Sequence, residues 1–280
     1  MNKLMVVSAI VLASLRLVAA DVLQYVGACD WATFTPDPGT THILPNANST
    51  TEAYTLSANA ELSPAFRPYG GYVSVFDFRN GNHTLKSGGV NFKDNNTTLH
   101  LLGGTWDLSN ASFYHGGKWW GTSVSGQKFF ADGARLANVG SYFRVCSAKK
   151  GVASLNATQV TVVNGYVLMA EGEGNVVGLT NSVISIDGKG PSKIASGSGN
   201  GGNVVLFDGS SVVQTQSTDY TTGFCGESPD NVVRFSNGSA ITVSYGHMFE
   251  GAAADRNVVA FEDSAIFADV ADAVAFGCFC

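Results

Sequence analysis

The chain has 280 residues and a formal net charge of −6, with 14% charged residues, 45% apolar residues and 33 glycines. An acidic, sparsely charged chain excludes nucleic acid and anionic membrane as partners, because both call for a basic face. So much glycine beside so little charge suits many short strands joined by tight turns better than a helical enzyme.

Residues 1–20 (MNKLMVVSAIVLASLRLVAA) start basic at Lys3, run apolar and finish on Val18, Ala19 and Ala20, the pattern of a secretory signal. Their removal takes away two basic and no acidic residues and leaves −8. No later stretch reaches ~18 unbroken apolar residues, so no transmembrane segment is expected in the mature chain. Export places the five cysteines, Cys29, Cys146, Cys225, Cys278 and Cys280, in an oxidising compartment with one left over. They form no Cys-x-x-Cys pair and no cluster with histidine at zinc spacing, so no structural metal is expected.

Residues 21–71 hold five of the seven prolines and no repeat, which predicts an irregular N-terminal cap or arm with a few strands. From residue 72 onward the chain repeats itself. Four copies are plain: NVVGL at 175–179, NVVLF at 203–207, NVVRF at 231–235 and NVVAF at 257–261. Anchoring on the fifth residue extends the register back through weaker copies and gives Phe78, Leu102, Phe130, Leu155, Leu179, Phe207, Phe235 and Phe261, spaced by 24 to 28 residues. Turn-forming residues follow each anchor, then a second apolar run such as QVTVV at 159–163 or AITV at 240–243, then a longer, variable return.

A unit of this size cannot bury its own apolar face, so the copies must stack, each strand pairing with its equivalent ~4.8 Å along the axis. The fold class is therefore all-β: a single-stranded parallel β-helix, or β-solenoid, of about eight coils over 72–280. Phe207, Phe235 and Phe261 then share one internal column. Asn175, Asn203, Asn231 and Asn257 form a ladder in which each amide serves the next, since an isolated buried amide is costly to desolvate. Cys146, Cys225 and Cys278 fall on one side of the rod but two or more coils apart, about 10 Å or more, which is beyond disulfide reach. The chain runs straight from the last unit into AVAFGCFC at 273–280, so a C-terminal continuation or a partner chain is expected to cover that end.

The NVVxF units and their spacing, over residues 72 to 276, resemble right-handed parallel β-helices, the fold of pectate-lyase-like proteins and of many exported adhesin or autotransporter passenger domains. The resemblance implies an extracellular or cell-surface solenoid, with binding carried by its variable returns. Members that act as polyuronate lyases combine acidic residues with a basic residue on neighbouring coils. Here the lysines and arginines are scattered over different units, Arg144 and Lys193 among them, and no such grouping is expected.

Three returns carry exposed-type residues. In SFYHGGKWWG (112–121), Tyr114, His115, Trp119 and Trp120 are candidate carbohydrate-binding residues, because an aromatic ring offers a flat apolar platform with a polar edge; packing inside the rod competes with that role. In TQSTDYTTGFCGESPD (215–230), Asp219, Glu227 and Asp230 are candidate acids or bases, or ligands for calcium, against the plainer reading of a solvated acidic loop. The third return, YGHMFE (245–250), adds His247. The turn residues Asp132, Asp208 and Asp263 stand where other units have asparagine, which points to a left-handed turn requirement rather than to carboxylate chemistry.

Three functions stay open at this point: a structural or adhesive surface solenoid whose partner is a polysaccharide or a surface protein, a carbohydrate-active β-helix enzyme, or a passenger segment of a larger secreted protein. With no nucleophile elbow, phosphate loop or Cys/His pairing in the sequence, an enzyme is the lesser expectation.

Overall fold

The computed structural model describes residues 22–24, 41–44, 53–55, 73–79, 84–86, 90–92, 95–108, 110–116, 124–187, 192–195, 200–216, 222–225, 228–243 and 255–268. Every regular element among them is a strand, and the strands stack in parallel as a β-solenoid. The first sheet takes, in order, Val22–Gln24, Thr41–Leu44, Val73–Asp77, Thr98–Leu102, Lys128–Asp132, Val152–Asn156, Val176–Thr180, Val204–Asp208, Val232–Ser236 and Val258–Phe261. The second takes Ala53–Thr55, Thr84–Lys86, Thr105–Asp107, Arg135–Val145, Gln159–Met169, Val183–Asp187, Ser211–Gln216, Ala240–Val243 and Ala265–Ala268.

A third row lies along the returns. It comprises Val90–Asn91, Phe113–Tyr114, the far halves of the two 11-residue strands, Ser192–Ile194 and Thr222–Phe224. The two long strands reach it by bending at Ser141 and Asn164, whose φ values are +54° and +53°. The stack amounts to about five turns, fewer than the eight expected, although the first sheet runs on at both ends, into 22–44 and out to 258–261.

The NVVxF unit makes a strand because its residues alternate faces. In Val204–Asp208 and Val232–Ser236 the second valine and the phenylalanine point inward and are fully buried, while the residues between them face out. The pairings from Thr98–Leu102 to Val258–Phe261 keep register without a bulge, so equivalent residues stand in straight columns. Phe207 stacks on Phe235 at 4.5 Å and 9°, and Phe235 on Phe261 at 4.7 Å and 3°.

The asparagine ladder stands at the corner before the first sheet. Asn175 Nδ2 donates to Asn203 Oδ1 at 3.0 Å and Asn203 Nδ2 to Asn231 Oδ1 at 2.9 Å, while each oxygen also accepts the backbone N–H of the preceding asparagine. At the lower end the amide chain turns aside: Asn231 Nδ2 donates to the Ser228 carbonyl, and Asn257 Oδ1 accepts the Asn231 N–H at 2.8 Å. Across the first sheet stands a second ladder, of hydroxyls. Ser182, Ser210 and Ser239 Oγ accept the backbone N–H of Thr158, Ser182 and Ser210, each at 3.0 Å. Both ladders hold the polar groups of a tight corner without water.

In the early coils the register differs from the expected one. The residues aligned with Leu155 are Phe76, Leu101 and Ala131, not Phe78, Leu102 and Phe130. Leu102 and Phe130 face outward and are half-buried, whereas Phe78 is buried just past the strand end. Ala131 is too small to read as an anchor. Its coil is filled instead by Phe129, two residues earlier on the same face.

The turn aspartates divide in the same way. Asp263 is left-handed, at φ +46°, in the column of Asn181 and Asn237. Asp132 and Asp208 precede that position and accept hydrogen bonds from the Asn156 and Asn237 side-chain amides one coil away.

Candidate functional site

The third row is where the coils differ most from one another. Its inward column holds Phe92, His115, Val145, Met169, Ile194 and Phe224, all buried. The next column is a left-handed corner of small side chains, Cys146, Ala170, Ala195 and Cys225, with φ between +53° and +57°. Cys146 and Cys225 are free and buried, with Ala170 and Ala195 between them.

Of the expected carbohydrate-binding residues, His115 is corrected. Its ring is fully buried, edge-on to Phe92 at 5.3 Å and 82°, and cannot touch a ligand. Alternation places it inward because its neighbour Tyr114 faces out. The Cys146 N–H donates to His115 Nδ1 at 3.2 Å, and the Cys146 thiol lies 3.6 Å from the same nitrogen. The Gln127 backbone acts on the ring in the opposite sense to burial. Burial pushes the imidazole down to about 3 and pushes the thiol up, so both stay neutral and the pair is packing rather than a nucleophilic dyad.

Tyr114 is on the outer face and half-buried, followed by Tyr142 and Tyr166 on the next coils. Ring centroids are 5.9 Å apart for Tyr114 and Tyr142 and 5.0 Å apart for Tyr142 and Tyr166, the second pair within 16° of parallel. Tyr142 and Tyr166 are register partners and stack along the axis, while Tyr114 is paired with Arg144, one outward position further along the strand. A sugar lying along this row meets ring edges and hydroxyls.

Beside the tyrosines stands a group of charges on successive coils, although no such group was expected. Arg144, outward in its strand yet buried, places Nε 3.1 Å from the Glu171 carboxylate and its guanidinium carbon 5.3 Å from the centre of the Tyr142 ring. Lys193 follows in the same column by strand register, through Leu168. Burial pushes the Glu171 carboxyl up to about 7, against the opposing pull of Arg144 first and Lys193 second. Two cations around one carboxylate leave an excess positive charge, suited to an acidic or hydroxyl-rich ligand, and a carboxyl near neutrality can also take or give a proton.

The sequence hid this group because Arg144, Glu171 and Lys193 are 27 and 22 residues apart and belong to different returns. The signal available was the coil length itself, which puts Arg144 and Lys193 in one column through Leu168, with Glu171 three residues beyond Leu168.

Asp230 holds another position than the one expected of a catalytic acid. It sits at φ +60° in a left-handed corner column with Lys150, Gly174, Gly202 and Arg256. Arg256 grips it with two hydrogen bonds, 2.5 and 2.6 Å, and these keep its carboxyl below the ordinary range. It is an ion-paired turn residue and not a proton donor. Trp119, Trp120, Asp219, Glu227 and His247 lie outside the described residues, so two of the three acids considered for calcium do as well. Among the described residues no three carboxylates, imidazoles or thiols come together as a metal site, and no helix is long and apolar enough to cross a membrane.

The class that fold and row define is a parallel β-solenoid with one chemically distinct side. Comparison with protein-family models, curated proteins and solved structures finds no match to the chain.

Proposed function

We propose that this chain is an exported, extracellular or cell-surface β-solenoid with a structural or adhesive role, and that it holds a polysaccharide along its third row. The observation that carries the proposal is the outward row Tyr114, Tyr142 and Tyr166 beside the Arg144–Glu171 pair and Lys193. Ring edges with hydroxyls and excess positive charge suit a sugar polymer that bears carboxylates, held by hydrogen bonds and charge rather than by ring stacking alone. Trp119 and Trp120 follow Tyr114 by five and six residues in the sequence. A surface protein is the other partner class that such a row suits.

The test is depletion of the chain from solution by a panel of neutral and carboxylated polysaccharides, with new reducing ends followed in parallel. Depletion by carboxylated polymers without product, weakened at least tenfold by Tyr142→Ala or by Lys193→Gln, is the expected result. No depletion by any polymer, or depletion indifferent to both substitutions, contradicts the proposal. Export is tested separately, by comparing secretion with and without residues 1–20.

One observation favours a second reading, a carbohydrate-active enzyme: Glu171 is a buried carboxyl near neutrality beside two cations. Product formation abolished by Glu171→Gln would establish it in place of the adhesive role.

A further inference from the structure

Gly178 is the middle residue of the strand Val176–Thr180 and faces outward on the first sheet. Among the glycines whose surroundings are described, each of the others has a local reason: a left-handed φ, or a neighbour that an added Cβ would crowd, as at Gly172, where it would lie 1.8 Å from the Ala148 oxygen. Gly178 has neither. Its φ is ordinary and an added Cβ would meet nothing within 4 Å. Glycine in a strand interior is destabilising, and it is kept where another backbone comes close.

The surface on the valine side of it is apolar, while Ser154, Thr180, Asn156 and Asp208 stand on the other sides. Val176, Leu206 and Val258 are 41%, 40% and 49% exposed, and Val152, Val204 and Val232 continue the valine column at partial exposure. We infer that this face docks a second copy of the chain, about a two-fold axis that lies in the interface along the strand Val176–Thr180.

Charge and shape select that axis. Rotation about it reverses the rod and keeps each residue's place along its strand, so the strand before Gly178 meets the partner copy's strand after it. Val176 then faces Val176, and Val152 faces Val204. Asp208 faces Asn156 and Asp132 faces Ser236, each carboxylate opposite a hydrogen-bond donor. Arg234 faces Phe130, a cation over a ring. No like charges face each other directly, and the two remaining charges, Lys128 opposite Val232 and Glu262 opposite Leu102, stand at the edges of the face. An axis along the rod instead lays the valine column over the Asp and Asn column and strands both.

The bulge-free register keeps the ridges of both copies at one ~4.8 Å spacing, so they stay in step, ridge opposite ridge, over the whole face. Seven strands of about five residues offer roughly 34 by 17 Å, on the order of 1,100 Å² in total for a dimer, the lower end of what a specific interface needs. A dimer that forms in the micromolar range is therefore expected.

Sedimentation equilibrium of the full chain between about 1 and 100 µM tests this, a span that brackets the affinity expected of so small an interface. The expected result is a monomer–dimer equilibrium, weakened at least tenfold by Val176→Lys together with Leu206→Lys and unchanged by Tyr142→Ala. Far-UV circular dichroism of the double variant checks that it still folds. In a second arm, Gly178→Cys is treated with a short bis-maleimide linker and the product is read by mass spectrometry. A linkage between the two copies of residue 178, not matched by Lys128→Cys at its own position, supports the two-fold. A chain that stays monomeric throughout, with no linkage at 178, overturns the inference. So does dimerisation indifferent to the double substitution. Because polysaccharide binding is read on the third row by a different variant, this proposal and that one fail separately.

Discussion

The coils from Val152 onward and the coils before it fill the same interior in opposite ways. In the later coils three columns repeat one side chain on successive coils: phenylalanine on phenylalanine, asparagine on asparagine, serine on serine. The earlier ones assemble a mosaic in which Phe113 alone meets Phe92, Trp106, Phe129 and Phe143 at 4.8 to 6.3 Å, tilted or edge-on. Phe76, Leu101 and Ala131 also share one column by strand register, but the side chains along it differ in size, and large rings fill the space that the smaller ones leave. The distinctive outer chemistry stands where this mosaic gives way to the regular coils, from Tyr114 to Lys193.

The comparison can be broken first at its most crowded point. Phe113→Ala removes one ring from contact with four others and should cost about 4–5 kcal/mol, read as the shift of a denaturant midpoint. Asn203→Ala comes next. It strands the Asn175 N–H, the Asn175 amide and the Gly172 carbonyl in one corner, for a loss of about 3 kcal/mol by the same measurement. A loss under 1 kcal/mol would show that the ladder is ornamental.

The boundary between the two regions should also respond to pH. Glu171 is raised from 4.5 to about 7, so within that window the folded chain keeps a proton that the unfolded chain has released, and stability falls as pH rises. His115 is lowered from 6.5 to about 3 and works the other way: below 6.5 the unfolded chain gains a proton the folded one refuses, and stability falls as pH falls. The two slopes oppose each other in the wild type. Against Glu171→Gln, however, the wild type should lose about 1 kcal/mol per pH unit between pH 5 and 7, measured by urea melts of both proteins. Parallel curves would remove Glu171 from the account. The smallest effect is expected in the hydroxyl ladder, where Ser210→Ala should cost about 1 kcal/mol, one hydrogen bond accepted from Ser182.

The later coils were legible in the sequence because one word, NVVxF, recurs with its asparagine and phenylalanine, and each acts on its own copy one coil away. The serine ladder was legible too, had the turn been read by position: Thr158, Ser182, Ser210 and Ser239 each follow the left-handed corner residue, but they sit in dissimilar words. The early anchors were misplaced because Ala131 carries no apolar signature and a one-residue slip turns a side chain from inside to outside. His115 reads as a surface residue in the sequence because aromatic neighbours in a return look alike whichever way they face. Arg144, Glu171 and Lys193 escaped notice since single charges in separate returns become a group only once coil length fixes who stands beside whom.

The most direct test is hydroxyl-radical footprinting of the chain with and without a carboxylated polysaccharide. It reads side-chain accessibility on the third row and on the first sheet at once. The account predicts that the polymer lowers oxidation of Tyr114, Tyr142 and Tyr166 several-fold while Phe130 and Leu206 keep their labelling. Equal oxidation of the tyrosines with and without polymer, or protection confined to Phe130 and Leu206, would contradict it.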